Sequence, residues 1–351
     1  MAKRVTIADV AEKAGVSTGT VSAVLNARPT VRRETRQRVL YAIDHLGYLP
    51  SASAQQLGSG GDGATSFPPS VGIVVKQIDS PFYAEVVKGA DAELTDRGYV
   101  PFICTSGGDS EREGQIIESL RGREVRGAIV APVLDEDVDL SRLFLLRRSG
   151  FPFVLLEIVP GLKANAVSVD NLAASQEAVQ YLIGLGHRRI VHFTGPASAR
   201  HSRERQMGFE KAFSQSPLQV SDDAVIPVGS VFEDGFEAGL RHFRDADPAT
   251  RPTAVSCFND LVALGLIHAL TELGLRVPED VSVVGFDDIP AATQTLWPLT
   301  TIHVPQREMG KQAVDIVLDQ MDEASSADDP VVVTLDFELA IRKTTAPPAP
   351  E

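Results

Sequence analysis

TIADVAEKAGVSTGTVSAVLN, Thr6 to Asn26, is the stretch on which the reading of this chain turns. Ile7, Val10, Ala11 and Ala14 recur at i, i+3, i+4 and i+7, which lays one apolar stripe along a short helix. Thr6 stands as its N-cap, with Asp9 three residues later in a capping-box position. Gly15 tolerates the positive φ that ends the helix, Val16 points into a small core, and Ser17 caps a second helix running to about Leu25. The spacing therefore predicts two short helices meeting across a tight turn.

Moving outward, a third helix is expected from about Arg33 to Leu46, with Val39, Leu40, Ile43 and Leu46 on one face and Gly47 after its end. Three such stripes can bury one another. The arrangement is a helix-turn-helix unit, in which the second helix enters a major groove, or else a generic three-helix cap with a solvated basic face. Periodicity alone leaves both open. The chain as a whole carries −14, yet residues 1–60 hold eight Lys and Arg against four Asp and Glu, a net of +4, so the acidity belongs to the remainder.

The segment from Thr6 to Asn26, continued by VRRETRQRVLYAIDHLGYLPSASAQQL, closely resembles the head of the LacI/GalR family of repressors over residues 5–57. The resemblance implies that Thr18, Gly19 and Ala23 occupy base-reading positions on the recognition helix. It places Thr6, Ser17, Ser22, Asn26 and Thr35 at phosphate contacts, with Thr20 among the DNA-binding residues. Gly19 and Ala23 carry no hydrogen-bonding side chain, so direct readout leans on Thr18, on the Ala23 methyl against thymine and on groove shape. Arg32 stands where the family has a small N-cap, and a guanidinium cannot accept the free N–H bonds there. SASAQQL, 51–57, is too short to be a stable helix alone. By the resemblance it is a hinge helix that folds on DNA, with Leu57 wedged between base steps of the minor groove.

GSGGDGATSFPPS, residues 58–70, is rich in Gly, Ser and Pro and reads as a linker. Beyond it, apolar runs of strand length alternate with amphipathic stretches: VGIVV, FICTS, RGAIVAP, PFVLLE, RRIVHFTG, TAVSC and VSVVGFDD. Alternating βαβ units imply parallel sheets flanked by helices. There are more strands than one compact sheet needs, so two lobes are expected, with a cleft at the strands' carboxyl ends.

This region resembles the periplasmic-binding-protein-like sensor of the same family, through DSPFYAEVVKGA, VSVDN, GHRRIVHFTGP, SRERQMGF, RPTAVSCFND, LGLRVPEDVSVVGFDD and PLTTIHVP. The resemblance implies Arg205 and Asp287 as paired ligand anchors, with Asn259, Phe232, His201 and Phe82 lining the cleft. A forked guanidinium donates and a carboxylate accepts, which suits vicinal hydroxyls. Phe82 and Phe232 could stack on a sugar's C–H face or a purine ring, or simply pack in the core. Glu157 is a further acceptor after PFVLLE, and Asp170 is read as a helix N-cap.

The expected organisation is a head and hinge over 1–57, a linker over 58–70, a two-lobed ligand-binding and dimerisation domain over 71–346, and a tail over 347–351. The function it implies is a transcriptional regulator, a repressor that binds a pseudo-palindromic double-stranded operator as a homodimer under control of a small polar effector, expected to be a sugar. The tail KTTAPPAPE has no leucine heptads for a coiled coil. There is no GxSxG elbow, HExxH or P-loop, and the seven histidines are scattered, so no catalytic or metal site and no cofactor is expected. The opening residues show no export signal and no stretch reaches ~18 apolar residues, so a cytoplasmic protein without membrane contact is expected. A transport-type sugar-binding protein is the main alternative, and it leaves residues 1–57 without a purpose.

Overall fold

In the computed structural model the N-terminal stripes close on one another. Helices α1 (Ile7–Ala14), α2 (Thr18–Leu25) and α3 (Arg33–Leu46) surround a core of Val10, Ala11, Ala14, Val21, Val24, Val39, Ala42 and Tyr48. Residues 5–25, 28, 30–48, 68–121, 125–134, 139–322 and 329–349 are described. The hinge segment 51–57 with Leu57, most of the linker 58–70, and Asn26 lie outside them.

Local chemistry sets each helix end. Thr6 N–H donates to Asp9 Oδ2 at 2.7 Å while Asp9 N–H donates to Thr6 Oγ1 at 3.4 Å, which completes the capping box. Gly15 sits at φ 65° and lets Val16 N–H turn back onto Ala11 O at 3.0 Å. Ser17 Oγ accepts from Thr20 N–H at 3.2 Å. Arg32 makes no capping bond to α3. The expected apolar face of α3 shifts in one respect: Leu40 is half exposed, because a residue one position from buried Val39 is turned about 100° around the helix. Ala42 takes the inward place instead.

The chain divides into two units, Met1–Pro68 and Pro69–Glu351. The larger contains two six-stranded sheets. The first lobe holds β1 (Ser70–Val75), β2 (Val100–Thr105), β3 (Val125–Val130), β4 (Phe153–Leu155), β5 (Asn165–Val169) and β11 (Val332–Leu335), in the order β11-β5-β4-β3-β1-β2, all parallel. The second holds β6 (Ile190–Thr194), β7 (Val225–Pro227), β8 (Ala254–Cys257), β9 (Ser282–Asp287), β10 (Thr300–His303) and β12 (Glu338–Ala340), in the order β12-β10-β9-β8-β6-β7. Only β12 among them runs antiparallel, against β10. Every residue of β1 and of β9 is buried, as strands covered by helices on both faces require.

The helices of this unit are α4 (Pro81–Asp96), α5 (Ser110–Arg121), α6 (Ser141–Arg148), α7 (Asn171–Gly184), α8 (Arg200–Ser214), α9 (Phe232–Phe243), α10 (Asp260–Glu272) and α11 (Gln306–Asp322). The backbone passes between sheets after β5, after β10 and between β11 and β12, so three crossovers connect the lobes. In the first lobe α4 and α11 cross at backbone distance. A Cβ on Gly89 would lie 2.1 Å from Arg307 O, and one on Gly310 2.1 Å from Val86 O, so both positions need glycine. The second crossover thus leads directly into a tightly packed helix pair.

Candidate functional site

Parallel strands end side by side, and at those ends the two lobes face each other across a cavity of about 410 Å³. Arg205, Asp287, Asn259, His201 and Phe82 all line it. The structure places Phe232 elsewhere: it opens α9 with its ring 5.9 Å from that of His268 on α10, and it is not part of the cavity wall. A helix's first residue points according to the approach of the preceding loop, which sequence spacing does not reveal.

Arg205 is the centre of the second lobe's wall. Its Nε donates to Asn171 Oδ1 at 3.1 Å, Nη1 to Phe258 O at 2.6 Å and Nη2 to Asp287 Oδ1 at 3.4 Å. The guanidinium carbon lies 3.5 Å from the centre of the Phe286 ring, so the cation rests on an aromatic face while its edge is held by three acceptors. Arg205 and Asp287 are both buried. Burial lifts the Asp287 carboxyl to about 6, with Arg205 opposing the rise. The pair is a buried donor and acceptor set side by side, the arrangement that binds adjacent hydroxyls.

Asp287 ends β9 at φ 112°, a backbone region that favours glycine. Its carbonyl accepts from Gln306 Nε2 and from Val304 N–H, both in the second crossover. Asn171, which holds Arg205 Nε, opens α7 at the first crossover and donates to Glu204 Oε2 at 3.2 Å. Each anchor is therefore hydrogen-bonded to a connection between lobes. Beneath them Asp260, with no exposed surface, accepts from Thr301 Oγ1 at 2.5 Å and from Ile289 N–H at 2.8 Å, binding α10 to the strand ends beside it.

Asn259 has a double role. Its Oδ1 accepts from Val262 N–H at 2.9 Å and caps α10, while Nδ2 donates to Ser230 O at 2.8 Å. Asp170 Oδ1 accepts from Ala173 N–H at 2.8 Å and caps α7. The His201 ring lies 5.3 Å from Phe258, and burial beside Lys76, Arg205 and Arg203 holds its pKa well below the usual imidazole range, so it faces the cavity uncharged.

The first lobe contributes groups that the strand-end reading named only in part. Phe82 and Tyr83, in the first turn of α4, meet edge to face at 5.3 Å, and both line the cavity. Lys76 follows β1 and Glu157 follows β4, and their charged groups lie 3.6 Å apart. Lys76 directly follows an apolar run and could have been found that way, whereas Tyr83 sits inside a helix with no such signal, and their convergence depends on strand order.

On the head, Ser17, Thr18, Gly19 and Thr6 are exposed, and Thr20, Ser22, Ala23 and Thr35 are partly so. Arg28, Arg32, Arg33 and Arg38 are exposed as well, and Arg36 donates to Arg28 O at 2.8 Å. The outward side of α2 offers short polar side chains in basic surroundings. Such a surface can approach a phosphate backbone closely.

Comparison with known proteins bears on both units. Residues 6–51 match the family described as bacterial regulatory proteins, lacI family, and residues 179–345 match a periplasmic binding protein-like domain. The chain is 35% identical over 318 residues to the HTH-type transcriptional repressor PurR of Haemophilus influenzae (strain PittEE), covering 90% of this chain and 91% of that protein. It is 34% identical over 341 residues to the protein of the same name from Photobacterium profundum, covering 97% and 98%. Among solved structures, a transcriptional regulator CelR–cellobiose complex superposes with a TM-score of 0.68 at 31% identity, covering 97% of this chain and 100% of the other. The lac repressor dimer bound to operator and the anti-inducer ONPF superposes with a TM-score of 0.70 at 27% identity, covering 98% and 100%.

Proposed function

This chain belongs to the lacI family of bacterial regulatory proteins, and we propose that it is a DNA-binding transcriptional repressor whose hold on its operator is set by a sugar bound between the sensor lobes. The observation that carries the effector reading is the buried Arg205–Asp287 pair, open to a cavity and fastened to the lobe crossovers through Asn171 and Gln306. A ligand that draws on these two side chains acts on the connections that set the angle between lobes. Because coupling is reciprocal, a ligand that shifts operator affinity has its own affinity shifted by the operator.

In this reading residues 1–57 are head and hinge, 58–70 a linker, 71–346 the sensor and dimerisation domain, and 347–351 a tail. Thr18, Gly19 and Ala23 face base edges, Thr6, Ser17, Ser22, Asn26 and Thr35 serve the backbone, and Thr20 is a further DNA-binding residue. Leu57 is the minor-groove wedge. A twofold dimer would present two heads to a pseudo-palindrome. Val100, Phe102 and Ile103 on edge strand β2 are exposed, and an apolar strand edge of this kind supports pairing with a second copy. The Phe82–Tyr83 pair would also stack on a planar heterocycle, so a purine-like ligand is the second reading.

The test is fluorescence anisotropy of the full chain on DNA from its own upstream region, with sugars added. Wild type should change operator affinity with at least one sugar, and Arg205→Ala should bind operator without that response. Equal ligand affinity in both proteins would refute the anchor assignment.

A further inference from the structure

Directly after the anchor Asp287 comes a second carboxylate, Asp288, which the cavity does not use. Asp287 and Asp288 stand at φ 112° and φ 58°, and among the described residues no other non-glycine position has positive φ. A backbone in this region persists only where its surroundings fix it. Here they do. Val304 N–H, at 3.3 Å, and Gln306 Nε2 donate to Asp287 O, and Ile289 N–H donates to Asp260 Oδ2 at 2.8 Å. The two residues are thus held as one rigid turn, so a ligand that draws on the Asp287 carboxylate also moves Asp288.

The Asp288 side chain is 13% exposed and lies outside the cavity lining, as do both of its partners. Its Oδ2 accepts from His303 Nδ1 at 3.0 Å. Arg342 Nη2 donates to the same oxygen at 2.9 Å and lies 2.7 Å from Oδ1, while its Nη1 donates to Leu299 O at 2.8 Å. His303 ends β10, where the second crossover begins. Arg342 lies two residues past β12, the strand into which the third crossover leads. These two strands pair antiparallel. One carboxylate therefore ties both connections to the strand end that carries the anchor, and charge-assisted bonds to a shielded carboxylate are among the strong ones.

We propose that Asp288 is a positioning residue for the effector response: it carries movement of the Asp287 anchor to the second and third crossovers, and so couples sugar binding to operator affinity without touching the sugar. This rests on the reading of the cleft as the effector site. A residue with a merely structural use would weaken folding or sugar binding. Asp288 separates binding from response.

Asp288→Asn is the variant of choice, because asparagine tolerates the left-handed backbone and keeps the volume, yet offers one acceptor oxygen in place of two and no charge. Both full chains are titrated by calorimetry with a panel of pentoses, hexoses and disaccharides that includes ribose and cellobiose, and by anisotropy on DNA from the upstream region with and without each sugar. In wild type at least one sugar should change operator affinity by about 5- to 150-fold, and Asp288→Asn should bring that factor to about twofold or less. Its sugar affinity without DNA should stay close to that of wild type. Asp288→Gly, which suits φ 58° and removes the clamp, should show the same split, and the unfolding temperature of each variant serves as the folding control. Arg342→Gln should reduce the response as well and add little to Asp288→Asn, as members of one network do.

Amide hydrogen exchange without any sugar gives a second reading. Loss of the clamp should speed exchange at Val304 and Arg342, whose N–H groups are bound to Asp287 O and Thr300 Oγ1, and leave β1 unchanged. A response equal to that of wild type, a loss of sugar affinity as large as the loss of response, or unchanged protection at both amides would each overturn the assignment. No response of wild type to any sugar would instead overturn the reading of the cleft, and the coupling with it.

Discussion

Replacing Glu113 with glutamine should stabilise the sensor at alkaline pH and do far less in acid. Glu113 lies on α5, is 5% exposed, and accepts from Val133 N–H through Oε2 at 2.8 Å. Burial pushes its carboxyl up from the ordinary 4.5 to about 7, with the Val133 bond and Lys76 acting in the other direction. A carboxyl whose folded value lies above its unfolded value favours the folded state below pH 4.5, and that contribution is lost as pH rises through 7. Between pH 5 and pH 8 the folded state binds more protons than the unfolded state, so stability falls as pH rises.

Integrating between those values at 1.36 kcal/mol per pKa unit gives roughly 2–3 kcal/mol of wild-type stability lost between pH 5 and pH 8 through this one group. Glutamine keeps an acceptor for Val133 N–H and carries no proton to lose. The variant's stability relative to wild type should therefore be greater at pH 8 than at pH 5 by that amount, which for a domain of this size is roughly 5 °C in midpoint. Taking the difference between two pH values cancels packing changes common to both. Thermal unfolding of the two full chains, followed by calorimetry so that the sensor's transition is separated from the head's, measures it. An effect equal at both pH values, or larger at pH 5, would refute the argument.

Gly310→Ala should cost the first lobe about 1–3 kcal/mol, as overpacking does, because the new Cβ would meet backbone at Val86 O. Urea unfolding measures the loss. Thr6→Ala removes the capping box of α1 and should lower head stability by about 1 kcal/mol, visible as earlier melting of the head and weaker operator binding. Arg205→Lys should fail to restore effector binding in titration calorimetry, because one ammonium cannot serve acceptors at Asn171, Phe258 and Asp287 together.

What could be read in the sequence was what chain spacing encodes locally. Thr6 and Asp9 cap α1, Asp170 caps α7, and the long buried strands β1, β3 and β9 stand out as apolar runs. The short strands β7 and β12, three residues each, and β11, whose residues are alternately exposed and half-buried, carry too little apolar signal to be distinguished from loop. Arg205 and Asp287 were legible through resemblance. Their partners were not, because Asn171, Phe258 and Gln306 reach them only once strand order and crossovers are fixed. Phe232 shows the converse: an aromatic at a strand-to-helix junction was expected in the cleft and instead packs near His268.

The central claim, that an operator-reading head and an effector-reading sensor share this chain, is most directly tested by anisotropy titration of the full chain against a pseudo-palindrome from its upstream region and a scrambled duplex, across a range of salt. A specific repressor should prefer the palindrome by a factor on the order of 10³ or more, with affinity falling steeply as salt rises, and should shift that preference when a sugar is added. Equal affinity for both duplexes, with no response to any sugar, would contradict it.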